Sequence, residues 1–131
     1  LANKKLNLHG GGLSRRSFIH IDDVSAALYK ICSKGKIGET YHISADENIS
    51  IKDLVKKMSI LTNKSYEKIV NVTDERLGKD QAYFLNNAKI KSELNWSYKI
   101  NLDEGLQDTY KWIKSNYQIL KKQPLRYKHK K

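Results

Sequence analysis

The chain has 131 residues, 39% of them hydrophobic and 30% charged, with a net charge of +11, the balance of an ordinary globular domain on the polar side. A single cysteine excludes an intrachain disulfide and any multi-cysteine metal centre, and no apolar run approaches the ~20 residues that span a bilayer. The positive excess admits nucleic acid as a partner, but six of the cations and none of the acids fall in residues 121–131, the composition of a solvated terminus.

Residues 1–4 are expected as the frayed end of a helix, and the missing initial Met as an excised start. No charged-then-apolar leader opens the chain, which together with the lone cysteine suits a reducing, cytoplasmic compartment. Residues 5–9 alternate and predict a short strand leading into Gly10-Gly-Gly12, where the backbone is free to take positive φ and to meet a ligand closely. Arg15 and Arg16 follow. The alternation over 16–21 predicts a second strand, with Asp22 or Asp23 capping the helix behind it. Val24, Ala27, Leu28, Ile31 and Cys32 recur at helical spacing. Cys32 is therefore expected as a small buried hydrophobe and not a nucleophile, and Gly35 and Gly38 end the helix.

Residues 39–44 are β-branched and aromatic and predict a strand, with a turn over 45–48. Ser50 caps a second helix whose buried stripe is Ile51, Leu54, Val55, Met58 and Leu61, Met58 serving as core filler. Asn63-Lys-Ser65 breaks it, and 68–73 predict another strand. Residues 74–81 are charged, aperiodic and contain Gly78, so they read as a loop of the kind that carries function. Asn86 or Asn87 caps a short helix through Ile90 and Leu94. Asn101 caps a long one through Leu106, Tyr110, Ile113, Tyr117 and Leu120, and Pro124 bars its continuation. The pattern is α/β: a small sheet of three or four short strands covered by helices in a lobe over residues 1–120, then a basic tail over 121–131.

Several chemistries lack their residues. There is no Walker loop, and Gly10-Gly-Gly12 has neither the third glycine nor the following helix of a dinucleotide fingerprint. His9, His20, His42 and His129 show no metal-ligand spacing. Tyr110 and Lys114 match Tyr-x-x-x-Lys, but Tyr110 belongs to the apolar stripe of its helix. What remains is a pair of cationic loops, Arg15 or Arg16 beside the glycines and Arg76 with Lys79. Guanidinium forks pair bidentately with phosphate, so two such loops facing each other would hold a diphosphate. Two solvated surface loops would look the same, and charge alone leaves both open.

The run His9-Gly-Gly-Gly-Leu-Ser-Arg-Arg-Ser-Phe-Ile-His-Ile-Asp-Asp-Val-Ser-Ala-Ala-Leu28 resembles the C-terminal part of extended short-chain dehydrogenase/reductases that act on nucleotide sugars. The likeness continues through Gly38-Glu-Thr-Tyr-His-Ile43, Ser50-Ile-Lys-Asp-Leu-Val55, Arg76-Leu-Gly-Lys-Asp80, Lys89-Ile-Lys-Ser-Glu-Leu-Asn-Trp96 and the Gly105-Leu helix, as far as about Tyr117. Within that family it is nearest to the dTDP-glucose 4,6-dehydratases. The resemblance implies a substrate-binding lobe in which Arg16 holds the nucleotide diphosphate, Arg76 closes on it, His9 lies near the base, and Lys79 and Tyr83 complete the pocket. His9, Leu77 and Lys79 depart from the family pattern, which leaves base and sugar open and keeps a nucleotide-sugar 4-epimerase as the alternative. It also implies that NAD is held by a Rossmann half upstream of these motifs, so that this chain by itself is expected to bind no cofactor and carry no catalytic residue. A dTDP- or UDP-sugar is the expected small partner, and a homodimer or exchange of elements follows from losing that half. A small basic nucleic-acid-binding module is the reading from another class, ranked below because the aromatic-on-sheet pattern of RNA readers is weak here.

Overall fold

The computed structural model describes residues 4–124; the expectation of a frayed helix at the start and most of the basic tail lie outside them. The first strand, β1 (Leu6–His9), runs parallel to β4 (Val70–Thr73), with Leu8 opposite Val72 and His9 opposite Thr73. After β1 the glycines make one 3₁₀ turn (Gly10–Gly12). All three have positive φ, from 56° to 70°, and Gly12 has no room for a side chain: a Cβ there would stand 2.6 Å from a Leu8 methyl and 2.9 Å from the Lys52 backbone nitrogen. The chain then enters β2 (Arg15–Arg16), the middle of a second sheet, antiparallel to β3 (Ile49–Ser50) and parallel to β5 (Ala82–Tyr83). Two small sheets therefore replace the single one expected.

Of the strand predicted over 16–21 only Arg16 is in a ladder: β2 starts one residue earlier and stops there, where its neighbours β3 and β5, each two residues long, also end. Beyond it the Ser17 hydroxyl donates to the Ala45 carbonyl instead of continuing a ladder. Helix α1 (Ile21–Lys34) starts earlier than expected and is capped by His20, whose Nδ1 accepts from the Asp22 amide. Asp22 and Asp23 lie in its first turn, where the helix dipole favours them.

Helix α2 (Ile51–Leu61) begins as the sequence indicates, the Ser50 hydroxyl accepting from the Asp53 amide at 3.0 Å. It lays Val55 on Leu8 and Val70 to form one core, with Ile51, Tyr66 and Ile69 packed around it. A single turn, α3 (Tyr66–Ile69), takes the first residues of the strand expected at 68–73. The other core joins Ala27 of α1, Ile90 and Leu94 of α4 (Ala88–Leu94), and Trp96. Burying a side chain such as Leu8 or Ile90, each fully enclosed, is worth about 1.5–3 kcal/mol. Here the Asn86 side-chain oxygen Oδ1, not that of Asn87, takes the helix amide of Ala88, while buried Asn87 donates to Ser44 and Asp46.

Residues 39–44 are not a strand. Tyr41 and Ile43 pack on the second core, but the segment has no ladder partner among the described residues. Helix α5 (Leu102–Ser115) opens with a reciprocal capping box between Asn101 and Glu104. The long helix expected to reach Leu120 is interrupted at Asn116, whose side-chain amide donates to the Trp112 carbonyl, and resumes as α6 (Tyr117–Leu120). Leu28, Met58 and Cys32, expected inside, are exposed: the described chain offers too little mass on those sides to cover whole helical stripes. No helix among the described residues is long and apolar enough to cross a membrane.

Candidate functional site

The loop over 74–81 is fixed at both ends. It leaves β4 beside β1, and it enters β5 beside β2, where the Arg15 amide donates to the Gln81 carbonyl at 2.8 Å. The glycine turn makes the same journey, from β1 to β2. Two connections thus run side by side between the two sheets, and His9, Arg16, Arg76, Lys79 and Tyr83 all lie on them or at their ends.

Arg16 and Tyr83 face each other in the parallel register of β2 and β5. The Arg16 guanidinium reaches across to the loop, Nη2 donating to the Asp80 carbonyl at 2.9 Å and Nη1 to the Arg15 carbonyl at 2.7 Å. With Ser17, Ile43 and Leu85, these two side chains line a cavity of about 160 Å³. Arg15 turns the other way and donates to the Asn48 carbonyl at 2.7 Å. Of the alternatives left by charge alone, Arg16 is the one joined to the 74–81 loop through its side chain.

His9 is half-buried, its Nδ1 2.9 Å from the Thr73 hydroxyl and 3.2 Å from the Asp74 carbonyl. Lys79 turns inward, its side chain 19% exposed and its Nζ 3.4 Å from Glu75 Oε1. The same carboxylate oxygen accepts from the Arg76 amide at 3.0 Å. Glu75 lies over Gly10, so closely that a Cβ on that glycine would stand 2.1 Å from Oε2. The Arg76 amide above all, with Lys79 and His9 adding their charge, holds the Glu75 carboxyl below the usual carboxylate range. The exposed Arg76 guanidinium has no hydrogen bond or ion pair with a described residue, and no partner joins it to Arg16.

Two groups therefore form. Arg16 and Tyr83 meet across the strands, while Lys79 and the Arg76 backbone meet at Glu75, whose charge His9 also feels. Sequence reasoning missed Glu75; its place next to Arg76 and four residues before Lys79 was the available signal. Tyr110 is half-buried, as a stripe residue should be. A larger cavity, about 580 Å³, opens between β1 and α2 with Leu6, Val55, Met58 and Lys68 in its lining, and none of the five residues reaches it. Among the described residues no three His, Cys, Asp or Glu side chains are grouped to hold a metal ion.

The family model of GDP-mannose 4,6-dehydratase matches residues 1–109. A dTDP-D-glucose 4,6-dehydratase of Dictyostelium discoideum is 32% identical over 149 residues, covering 88% of this chain and 34% of that protein. The crystal structure of a dTDP-glucose 4,6-dehydratase from Streptomyces venezuelae, solved with NAD bound, superposes with a TM-score of 0.84 at 26% identity, over 88% of this chain and 36% of the other. A UDP-glucose 4-epimerase from Thermotoga maritima, solved with UDP-glucose, superposes with a TM-score of 0.80 at 25% identity over the same shares. The chain spans from 16% to 37% of the length of curated relatives and solved structures such as these.

Proposed function

Since the chain belongs to the GDP-mannose 4,6-dehydratase family, within the extended short-chain dehydrogenase/reductases, we propose that it is the substrate-holding part of an NAD-dependent nucleotide-sugar 4,6-dehydratase of the dTDP-glucose type. Residues 1–120 make up the lobe and 121–131 its basic tail, in a cytoplasmic enzyme. Arg16 and Arg76 grip the diphosphate of a dTDP- or UDP-sugar, Lys79 adds a third positive charge, His9 lies toward the base and Tyr83 walls the pocket. The observation that carries this reading is the hydrogen bond from Arg16 to the Asp80 carbonyl, because it ties one arginine to the loop bearing the other. Each charge-assisted contact to phosphate is worth about 1.5–3 kcal/mol. The lobe contributes binding and orientation, which hold a sugar in reach of the reacting groups.

NAD does not fit the glycines of this chain. A pyrophosphate loop ends at the N-terminus of a helix, whereas Gly10–Gly12 run into the short strand β2. The cofactor and the catalytic side chains are therefore assigned to the remaining length of the relatives, a Rossmann half on which this lobe docks; without that half a homodimer or an exchange of elements covers the exposed apolar surface. The epimerase likeness supports the second reading, a 4-epimerase, which shares the diphosphate seat and differs in the reaction carried out elsewhere.

The test is thermal stabilisation of the 131-residue chain by dTDP, UDP, GDP and CDP, with the nucleosides and an oligonucleotide as controls. Saturable stabilisation by one or more diphosphates, growing with ligand concentration and weakened about tenfold or more in Arg16→Lys, is the expected result. Stabilisation by the oligonucleotide alone, falling steeply with salt, would instead support a nucleic-acid module.

A further inference from the structure

We infer that the Glu75 carboxylate is an internal competitor for the phosphate seat: in the ligand-free loop it holds the donors that a diphosphate oxygen takes when a nucleotide binds. The inference rests on the diphosphate reading above and adds to it what sets the affinity. A carboxylate and a phosphate oxygen ask for the same partners, backbone N–H groups and cationic side chains. Glu75 Oε1 has both, the Arg76 amide at 3.0 Å and the Lys79 ammonium at 3.4 Å. His9 acts on it electrostatically, and Gly10 leaves it room by having no side chain. Arg76, His9 and Lys79 are three of the five residues assigned to the ligand, so the carboxylate sits among the groups an incoming diphosphate must reach.

The sign follows from charge. Two like charges a few ångströms apart repel, the more so out of bulk water, and a donor already held by Glu75 must change partners. If Glu75 served instead to hold Lys79 and Arg76 ready for the ligand, its removal would weaken binding. The two roles predict opposite shifts.

The experiment is calorimetric titration of the full chain and Glu75→Gln with dTDP, inorganic pyrophosphate and thymidine. The glutamine keeps an oxygen for the Arg76 amide but removes the negative charge that attracts Lys79 and repels a phosphate. Glu75→Gln should bind dTDP and pyrophosphate about three- to tenfold more tightly, the gain narrowing as salt rises, with thymidine unaffected. Gly10→Ala reaches the same end from the opposite side, since its Cβ forces the carboxylate away. It should tighten pyrophosphate binding in the parent and add nothing in Glu75→Ala, whatever strain its positive φ costs the fold. The amide resonance of Arg76 in the parent should move on adding pyrophosphate.

Equal or weaker dTDP binding by Glu75→Gln, in a parent that binds dTDP, overturns the competitor role and leaves the diphosphate reading standing. Pyrophosphate bound more tightly by the variant, with no nucleoside diphosphate bound by either chain, retains the competitor and overturns the nucleotide reading. If neither chain binds any of these anions, both are overturned.

Discussion

Asp23 shows how much one side chain carries here. Its carboxylate is buried and accepts the amides of Lys99 at 2.9 Å and Ile100 at 3.0 Å, while its carbonyl accepts the indole N–H of Trp96 at 3.2 Å. One residue of α1 thereby fixes the chain between α4 and α5, and it does so from a first helical turn, where negative charge is favoured. Asp23→Ala leaves two amides without their partner and should cost about 2–3 kcal/mol, read as a lowered urea midpoint with unchanged slope. Asp23→Asn, which keeps one carbonyl oxygen, should lose less. From sequence the residue looked like a cap, because a carboxylate at the start of an apolar helix usually is one. Its actual partners lie more than seventy residues away, and no local pattern announces them.

The elements divide into those held by neighbours in sequence and those held at a distance. Helix α2 belongs to the first kind: the Ser50 hydroxyl accepts from the Asp53 amide and donates to the Asp53 carboxylate at 2.6 Å. Ser50→Ala should lower the stability by about 1 kcal/mol, measurable by denaturant titration. The turn before β3 belongs to the second. The hydrogen bond from Lys91 of α4, followed by that from Asn87, lowers the Asp46 pKa from its ordinary value. A depressed carboxylate contributes stability that is present above its ordinary titration range, around pH 4, and is lost as pH falls through the lower folded-state value. Melting temperatures followed from pH 7 into that acid range should therefore fall, and Asp46→Asn should flatten part of the fall. The same division explains what could be read in advance. Caps such as Ser50 and Asn101 and the break at Asn63 are local signals, and the structure has them, whereas the helical stripes are only partly covered, Leu28, Cys32 and Met58 lying exposed. The length of β2 depends on strands 33 and 67 residues away. The segment over 39–44 has the composition of a strand but needs a neighbour that its own residues cannot specify. The residues assigned to the site could be named only from the order of motifs; Glu75, which holds Lys79 and the Arg76 amide, belongs to no such motif.

The molecule as a whole exposes more surface than a closed body would. Its 10228 Å² compares with roughly 7,000 Å² for a folded monomer of this length, and Ile21, Leu28 and Tyr29 on α1 and Trp112 on α5 are among the uncovered side chains. Apolar surface of this kind marks a contact face, so sedimentation of the 131-residue chain should show association that grows with concentration. A monomer unchanged across a hundredfold range would count against it. The central claim, that two loops joined through Arg16 form a seat for a nucleoside diphosphate, is tested most directly at Arg76, whose exposed guanidinium pairs with no described residue. Titration of the chain and of Arg76→Gln with dTDP and UDP, beside their melting curves, should give the same melting temperature for both and an affinity at least about tenfold weaker for the variant. Equal affinities at equal stability would contradict the account.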